Sequence, residues 1–218
     1  MTADLIKGHD DLGTGRSAGF TVIELLTVVA IVGVLLAILI PSMSSARVAA
    51  KKAETRVRFN QWVMAIQSFR AEYGFYPVFD ASNTVNGGAD ATDHLFHDVL
   101  AGRKRGGSSL TAGSAAAIQN KRLISFHAFT ESELVERNSS PPDLLCDAFG
   151  STDIAVLIDR NLDGIINLAE IPDGLPEVNG VRPGVVDFPS TGIRASVAFY
   201  SLAPGSSAEV PHFICSWK

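Results

Sequence analysis

From Phe20 to Ile40 the chain runs 21 residues with a single charge, Glu24, and then meets Pro41. The run has neither the alternation of a half-buried strand nor the polar stripe of a surface helix. At about 1.5 Å per residue it predicts an all-round apolar helix of roughly 30 Å, one bilayer crossing. After Pro41 the pattern becomes amphipathic. Phe59, Trp62, Val63, Ile66, Phe69 and Tyr73 recur three or four residues apart, opposite Lys51, Lys52, Arg56, Arg58, Arg70 and Glu72. Residues 41 to 76 therefore read as a stem with one face for a core and one for water. Pro41 is expected to bend the helix, and Gly74 with Pro77 to stop it.

Residues 78 to 93 are rich in Asn, Asp, Gly and Ala and read as a loop. Asp93 is placed to cap a helix of about ten residues ending at Gly102, with Leu95, Phe96, Val99 and Leu100 inward. Arg103 to Gly113 reads as a solvated basic connection, and residues 114 to 137 hold a short helix and a segment from Leu123 to Phe129. Thr130 to Glu136 reads as an exposed helical turn, ended by Pro141-Pro142. From Leu144 the pattern turns to β, with Ile154 to Ile158 a β-branched run and Arg194 to Leu202 and Val210 to Trp217 alternating as antiparallel strands. The fold class is α+β, with the sheet expected to pack on the stem's aromatic stripe. The divisions are a leader at 1 to 19, a membrane helix at 20 to 40, the stem at 41 to 76, and a globular domain at 77 to 218 with an insertion at 78 to 143.

Composition narrows the chemistry. A formal charge of −5 with no basic aromatic stripe gives no indication of a nucleic-acid surface. The two cysteines, Cys146 and Cys215, are distant in sequence and read either as one disulfide in an oxidising compartment or as two buried free thiols. Five histidines include one i, i+3 pair, His94 and His97, which reads as a surface helix face in preference to a second metal site. Asp143, Asp147, Asp153, Asp173, Glu177 and Asp187 are scattered through polar loops and read as solvated. With no nucleophile elbow and no phosphate-cradling glycine loop, the sequence does not support an enzyme.

Glu24 is the unusual residue of the apolar run. A lone carboxylate within hydrocarbon costs several kcal/mol unless it is paired, which makes it a candidate functional group. Gly19-Phe20-Thr21-Val22-Ile23-Glu24, the uninterrupted apolar run and Pro41 together resemble the cleavage and methylation site of type IV pilins and type II secretion pseudopilins. The resemblance implies that prepilin peptidase cuts after Gly19 and methylates the new N-terminus at Phe20. It further implies that Glu24 pairs, in a filament, with the α-amino group of Phe20 on a neighbouring subunit. Residues 65 to 77, AIQSFRAEYGFYP, resemble the stem end of the major pseudopilins, and Asp147-Ala148-Phe149-Gly150 resembles their Asp-x-Trp-Gly segment more weakly. The leader departs from the family in being longer and slightly acidic.

A second motif lies at residues 159 to 170. Asp159, Asn161 and Asp163 stand at positions 1, 3 and 5 of a twelve-residue EF-hand calcium loop, Gly164 at the turn, and Ile165 where a carbonyl is used. Ile166 falls where such loops pin themselves to a core, Asn167 at position 9, and Glu170 where the shell closes bidentately. Oxygen donors at this spacing favour Ca2+. The alternative is an Asn/Asp/Gly-rich turn whose side chains only cap the backbone. No helix pair flanks the loop, so it is expected to staple sheet elements instead of opening on binding.

These readings converge on a pilin-fold subunit of an envelope filament, most closely a type II secretion pseudopilin. It is expected in the inner membrane as a single-pass protein with its globular domain in the periplasm. Its expected partners are prepilin peptidase, other pilin or pseudopilin subunits, and the secretion or pilus assembly machinery. The alternatives are a type IV pilus pilin or a membrane-anchored, calcium-dependent binding or adhesion protein.

Overall fold

The computed structural model describes residues 19–79, 83–87, 94–135, 144–171, 174–206 and 209–218, with backbone alone at 40–42 and 170. The leader before Gly19, the cap assigned to Asp93, Pro141-Pro142, and the carboxylates Asp143 and Asp173 lie outside the described residues, whereas the backbone at Pro41 is helical, within the helix Val22–Tyr73. The chain divides into two compact units, Met1–Ala46 and Arg47–Lys218. The described part of the first is helical from Val22.

Helix α1 spans Val22–Tyr73. It ends as its sequence dictates, with Gly74 at φ +80 and its N–H donating to Arg70 O at 2.8 Å, the left-handed stop that a Cβ-free residue takes most cheaply. Within the second unit Phe59, Trp62, Ile66 and Phe69 are fully buried. Arg58 departs from the expected exposed face. It is 5% exposed and donates to Cys146 O at 2.6 Å, because the 146–148 segment lies over the stem, where Ala148 N–H also donates to Thr55 Oγ1.

Strands β1 (Leu134–Val135) and β2 (Leu144–Leu145) form a two-residue antiparallel ladder. Strands β3 (Ile154–Ile158), β4 (Val197–Leu202) and β5 (Phe213–Cys215) form the antiparallel sheet, in the order β3-β4-β5. The outer edge of β3 is met by residues 83–85, through Val85 N–H to Ile154 O and Val156 N–H to Asn83 O. Alternation along β3 and β4 sends side chains to two different cores. Ile154, Val156, Val197 and Phe199 join the stem's stripe, with the Phe199 ring 5.7 Å from Phe59 and 5.6 Å from Trp62. Ala155, Leu157, Ala198 and Tyr200 face a second core made with Ile166, Ile171, Val178, Phe188 and Ile193. The sheet is thus the middle layer between the stem and the segment carrying the predicted calcium loop.

The insertion is built into the first core. Helix α2 (Leu95–Ala101) contributes Phe96, Val99 and Leu100 and ends at Gly102, φ +67. Helix α3 (Ala115–Gln119) is capped by Ser114. Asn120, fully buried, takes the Tyr73 hydroxyl and Ile124 N–H on Oδ1 and donates to the Val99 and Ile124 carbonyls. This fills the amide's hydrogen-bonding capacity and stitches the stem's end to the insertion.

Candidate functional site

Three groups of residues bear on function. The first is the start of α1. Gly19 and Phe20 precede the helix in non-helical, exposed backbone, and among the described residues no atom beyond the neighbouring residues lies within 4 Å of a Cβ built on Gly19. Thr21 and Glu24 bond reciprocally: Glu24 N–H donates to Thr21 Oγ1 at 3.2 Å, and Thr21 N–H and Oγ1–H donate to Glu24 Oε2 at 2.9 and 2.8 Å. This is a capping box, whose sequence signal is Thr-x-x-Glu at residues 21 to 24. It starts the helix at Val22, two residues later than the apolar run suggests. Both bonds use Oε2; Oε1 has no bond among the described residues. The apolar window of α1 is 0% buried and is long and apolar enough to cross a membrane.

The second group is the loop from Asp159 to Glu170. Asp159, 2% exposed, accepts from Leu162 N–H on Oδ1 at 2.7 Å and from Gly164 N–H on Oδ2 at 2.9 Å. Asn161 Oδ1 accepts from Asp163 N–H, Asp163 Oδ1 from Ile165 N–H, and Asn167 Oδ1 from Ala169 N–H, at 2.8 to 2.9 Å. Gly164 turns at φ +86. Ile166 is fully buried in the second core and exchanges both backbone bonds with Ile193 at 2.8 Å, so it pins the loop as its position predicts. A Cβ on Gly192, φ +78, would meet Ile166 O at 2.6 Å. The loop follows β3 directly and closes in a single 3-10 turn, Leu168–Glu170, in keeping with a loop lacking paired helices.

Among the described residues no three His, Cys, Asp or Glu side chains cluster as a metal site. The loop offers two described carboxylates together with Asn and carbonyl oxygens, and the side chain of Glu170 lies outside the described set. The donor chemistry fits a hard dication. Each carboxylate oxygen bonded once to an amide keeps a second lone pair, and among the described residues the buried Asp159 carboxylate is met by neutral N–H dipoles, which a cation would complement. The same bonds also satisfy the alternative of a self-capping turn.

The third group was not anticipated. Glu133, expected on an exposed turn, is 4% exposed. Its Oε1 receives Trp62 Nε1–H at 2.8 Å and lies 3.0 Å from His127 Nε2. Its Oε2 accepts from Thr130 N–H at 2.8 Å in a capping box. Burial alone would raise the Glu133 pKa, but the bonds from His127, Thr130 and Trp62 outweigh it and bring the carboxyl down to about 2. Thr-x-x-Glu at 130 to 133 carried the signal. What it could not show is that the turn faces the stem.

Other expected sites change in the same sense. Asp147 is buried, not solvated, accepting from Phe149 N–H, Ser151 N–H and Ser201 Oγ–H at 2.8 to 2.9 Å. Asp187 is partly buried and pairs with Lys218, whereas Glu177 stays exposed, as expected, in a surface pair with Arg182. His97 is turned inward instead of lying on a surface face. Its ring sits 4.7 Å from Phe129 and its Nδ1 2.9 Å from Asp98 Oδ1, and burial lowers its pKa. Cys146 and Cys215 are buried free thiols, the second of the two readings. Burial pushes the Cys215 thiol up to about 12 and also raises that of Cys146, so neither is a ready thiolate.

No protein-family model, curated protein or solved structure matches this chain.

Proposed function

We propose that the chain is a pilin-like structural subunit of an envelope filament, most closely a type II secretion pseudopilin. It is held in the inner membrane with its globular domain in the periplasm, cleaved and N-methylated by prepilin peptidase, and polymerised through the apolar half of α1. The observation carrying this reading is the start of that helix. An exposed Gly19–Phe20 bond precedes a capped helix whose apolar half, up to Ile40, has Glu24 as its only charge, and the apolar window is 0% buried among the described residues. Cleavage turns Phe20 into a free amine, and a neighbour's amine meeting Glu24 Oε1 lets two charges leave water together. The capping box survives the cut, since the Thr21 N–H remains an amide. The work of such a subunit is mechanical, not enzymatic.

The calcium loop fits the same role. Asp159, Asn161, Asp163, the Ile165 carbonyl, Asn167 and Glu170 would hold Ca2+, which supplies charge to bind the two ends of the loop together. The chain's own contribution is to fix the loop to the sheet through Ile166, Ile193 and Gly192.

The reading is tested with the Glu24→Leu variant. The capping box is lost, at a cost of about 1 kcal/mol of helix stability, yet the chain still inserts. Incorporation into filaments is expected to fail, and a Glu24→Gln variant, which keeps the cap, is expected to fail as well. Normal filament assembly by Glu24→Gln would refute the charge-pairing role.

A further inference from the structure

Between Glu24 and Glu72 the chain carries one acid, Glu54, and it is occupied: its Oε1 lies 3.3 Å from a guanidinium nitrogen of Arg58. Three bases of the same stretch, Lys51, Lys52 and Arg56, meet no carboxylate among the described residues. Lys51 and Arg56 are exposed and Lys52 is half-buried. Lys51 rests over the Phe149 ring, 5.6 Å from its centre, a contact that leaves its charge in place. The chain as a whole carries a formal charge of −5, so this stretch opposes the sign of the molecule.

Position and geometry say what such a charge meets. Counted along α1 from Ile40, the last residue of the apolar run, Lys51, Lys52 and Arg56 come 11, 12 and 16 residues later. These are about 17, 18 and 24 Å of helix. The polar layer outside the hydrocarbon is about 5 to 8 Å deep, and an exposed charge acts over about 8 Å more at physiological salt. Helical side chains lean toward the N-terminus, which here is the direction of the apolar run. The two lysine ammonium groups therefore come within that range, and Arg56 lies at its edge. At about 100° per residue the three bases spread across about 140° of the helix surface. A helix lying alongside would meet a stripe running along the axis, whereas a surface that the helix crosses meets every side of it.

We propose that Lys51, Lys52 and Arg56 form a basic collar that binds the headgroups of anionic phospholipids where the stem leaves the membrane. This binding requires residues 20 to 40 to cross a bilayer, as in the reading above, but neither cleavage at Gly19 nor a filament. A headgroup with net negative charge attracts the collar, and a zwitterionic one offsets most of that attraction with its own cation. Each base within reach favours the anionic surface about fivefold.

The test places the full chain in phosphatidylcholine bilayers with bimane attached through Met43→Cys, an exposed position three residues after Ile40. The two native cysteines are buried, so the label goes to residue 43. The bilayers contain a small fraction of either phosphatidylcholine or phosphatidylglycerol spin-labelled near the headgroup end of one acyl chain. Quenching by the labelled phosphatidylcholine reports that residue 43 sits at the bilayer surface, and extra quenching by the labelled phosphatidylglycerol reports its enrichment at the collar. At low salt phosphatidylglycerol is expected to be favoured about fivefold or more, and the preference to fall toward parity at about 1 M salt, where the Debye length is about 3 Å. Lys51→Gln/Lys52→Gln/Arg56→Gln is expected to lose the preference and keep its quenching by phosphatidylcholine, whereas Lys51→Arg/Lys52→Arg keeps both. Equal quenching by the two lipids at low salt, or a preference that survives in the triple Gln variant or at about 1 M salt, would overturn the collar and leave the membrane helix standing. Absence of quenching by either lipid would overturn both.

Discussion

Trp62 Nε1–H donates to Glu133 Oε1 at 2.8 Å, with both side chains buried. The bond ties the middle of the stem to a turn 71 residues later and seats a carboxylate beside a nest of aromatic rings. Trp62 packs on Phe96, Phe129 and Phe199 at 5.5 to 6.4 Å. A buried acceptor in this position has to be fully bonded, and Thr130 and His127 complete its set.

The pH dependence follows from that arrangement. Glu133 titrates near 2 when folded and near its ordinary value of about 4.3 when unfolded. Its folded pKa is depressed, so its contribution is complete above the unfolded value and is lost as pH falls through the folded one. Denaturant melts followed by Trp fluorescence should show stability falling between about pH 5 and 2. In Glu133→Gln that part of the slope should be missing, and stability at pH 7 should drop by roughly 2 kcal/mol.

Gly192 is the second sensitive point. It sits at φ +78, where a Cβ would lie 2.6 Å from Ile166 O. Gly192→Ala therefore combines backbone strain with a clash against the bridge that anchors the loop at residues 159 to 170. A loss of about 2 to 4 kcal/mol is expected by chemical denaturation. A comparable Gly106→Ala, φ +81 with open space around it, should cost about 1 kcal/mol.

Calcium should raise the melting temperature, and a chelator should lower it again. A concentration one hundred times Kd would add about 2.7 kcal/mol. Glu170→Gln is expected to weaken this response strongly while leaving the chelated protein near its original melting temperature. Asp159→Ala should do both kinds of damage, because its carboxylate also holds Leu162 and Gly164 N–H in the apo loop. An equal melting temperature with calcium and with chelator would leave the loop as a self-capped turn.

The long helix was legible because its signals are local and mutually consistent. The apolar run, the stripe from Phe59 to Tyr73 and the Gly74 stop each act within a few residues. Strands β3, β4 and β5 were legible to within a few residues for the same reason, and so was the anchoring of Ile166, whereas β1 fell in a segment read as a helical turn. What stayed hidden depends on contacts far apart in sequence. Arg58 is buried because Cys146 offers a carbonyl 88 residues away. Asp147 is buried because Ser201 Oγ reaches it from β4. Glu133 is buried because its turn faces Trp62. A polar residue reads as solvated until its partner is known. The second core beneath the sheet was missed likewise, since Leu175, Val178 and Phe188 are isolated apolar residues in a stretch with no regular period.

Cleavage and methylation at Phe20 are tested by mass spectrometry of the protein's N-terminus. The full-length protein, produced together with a prepilin peptidase, should yield a chain beginning at Phe20 with one added methyl on its α-amine. The Gly19→Val variant should remain uncleaved. A mature chain that begins elsewhere, or a wild-type protein that keeps its first 19 residues in the presence of active peptidase, would contradict the account.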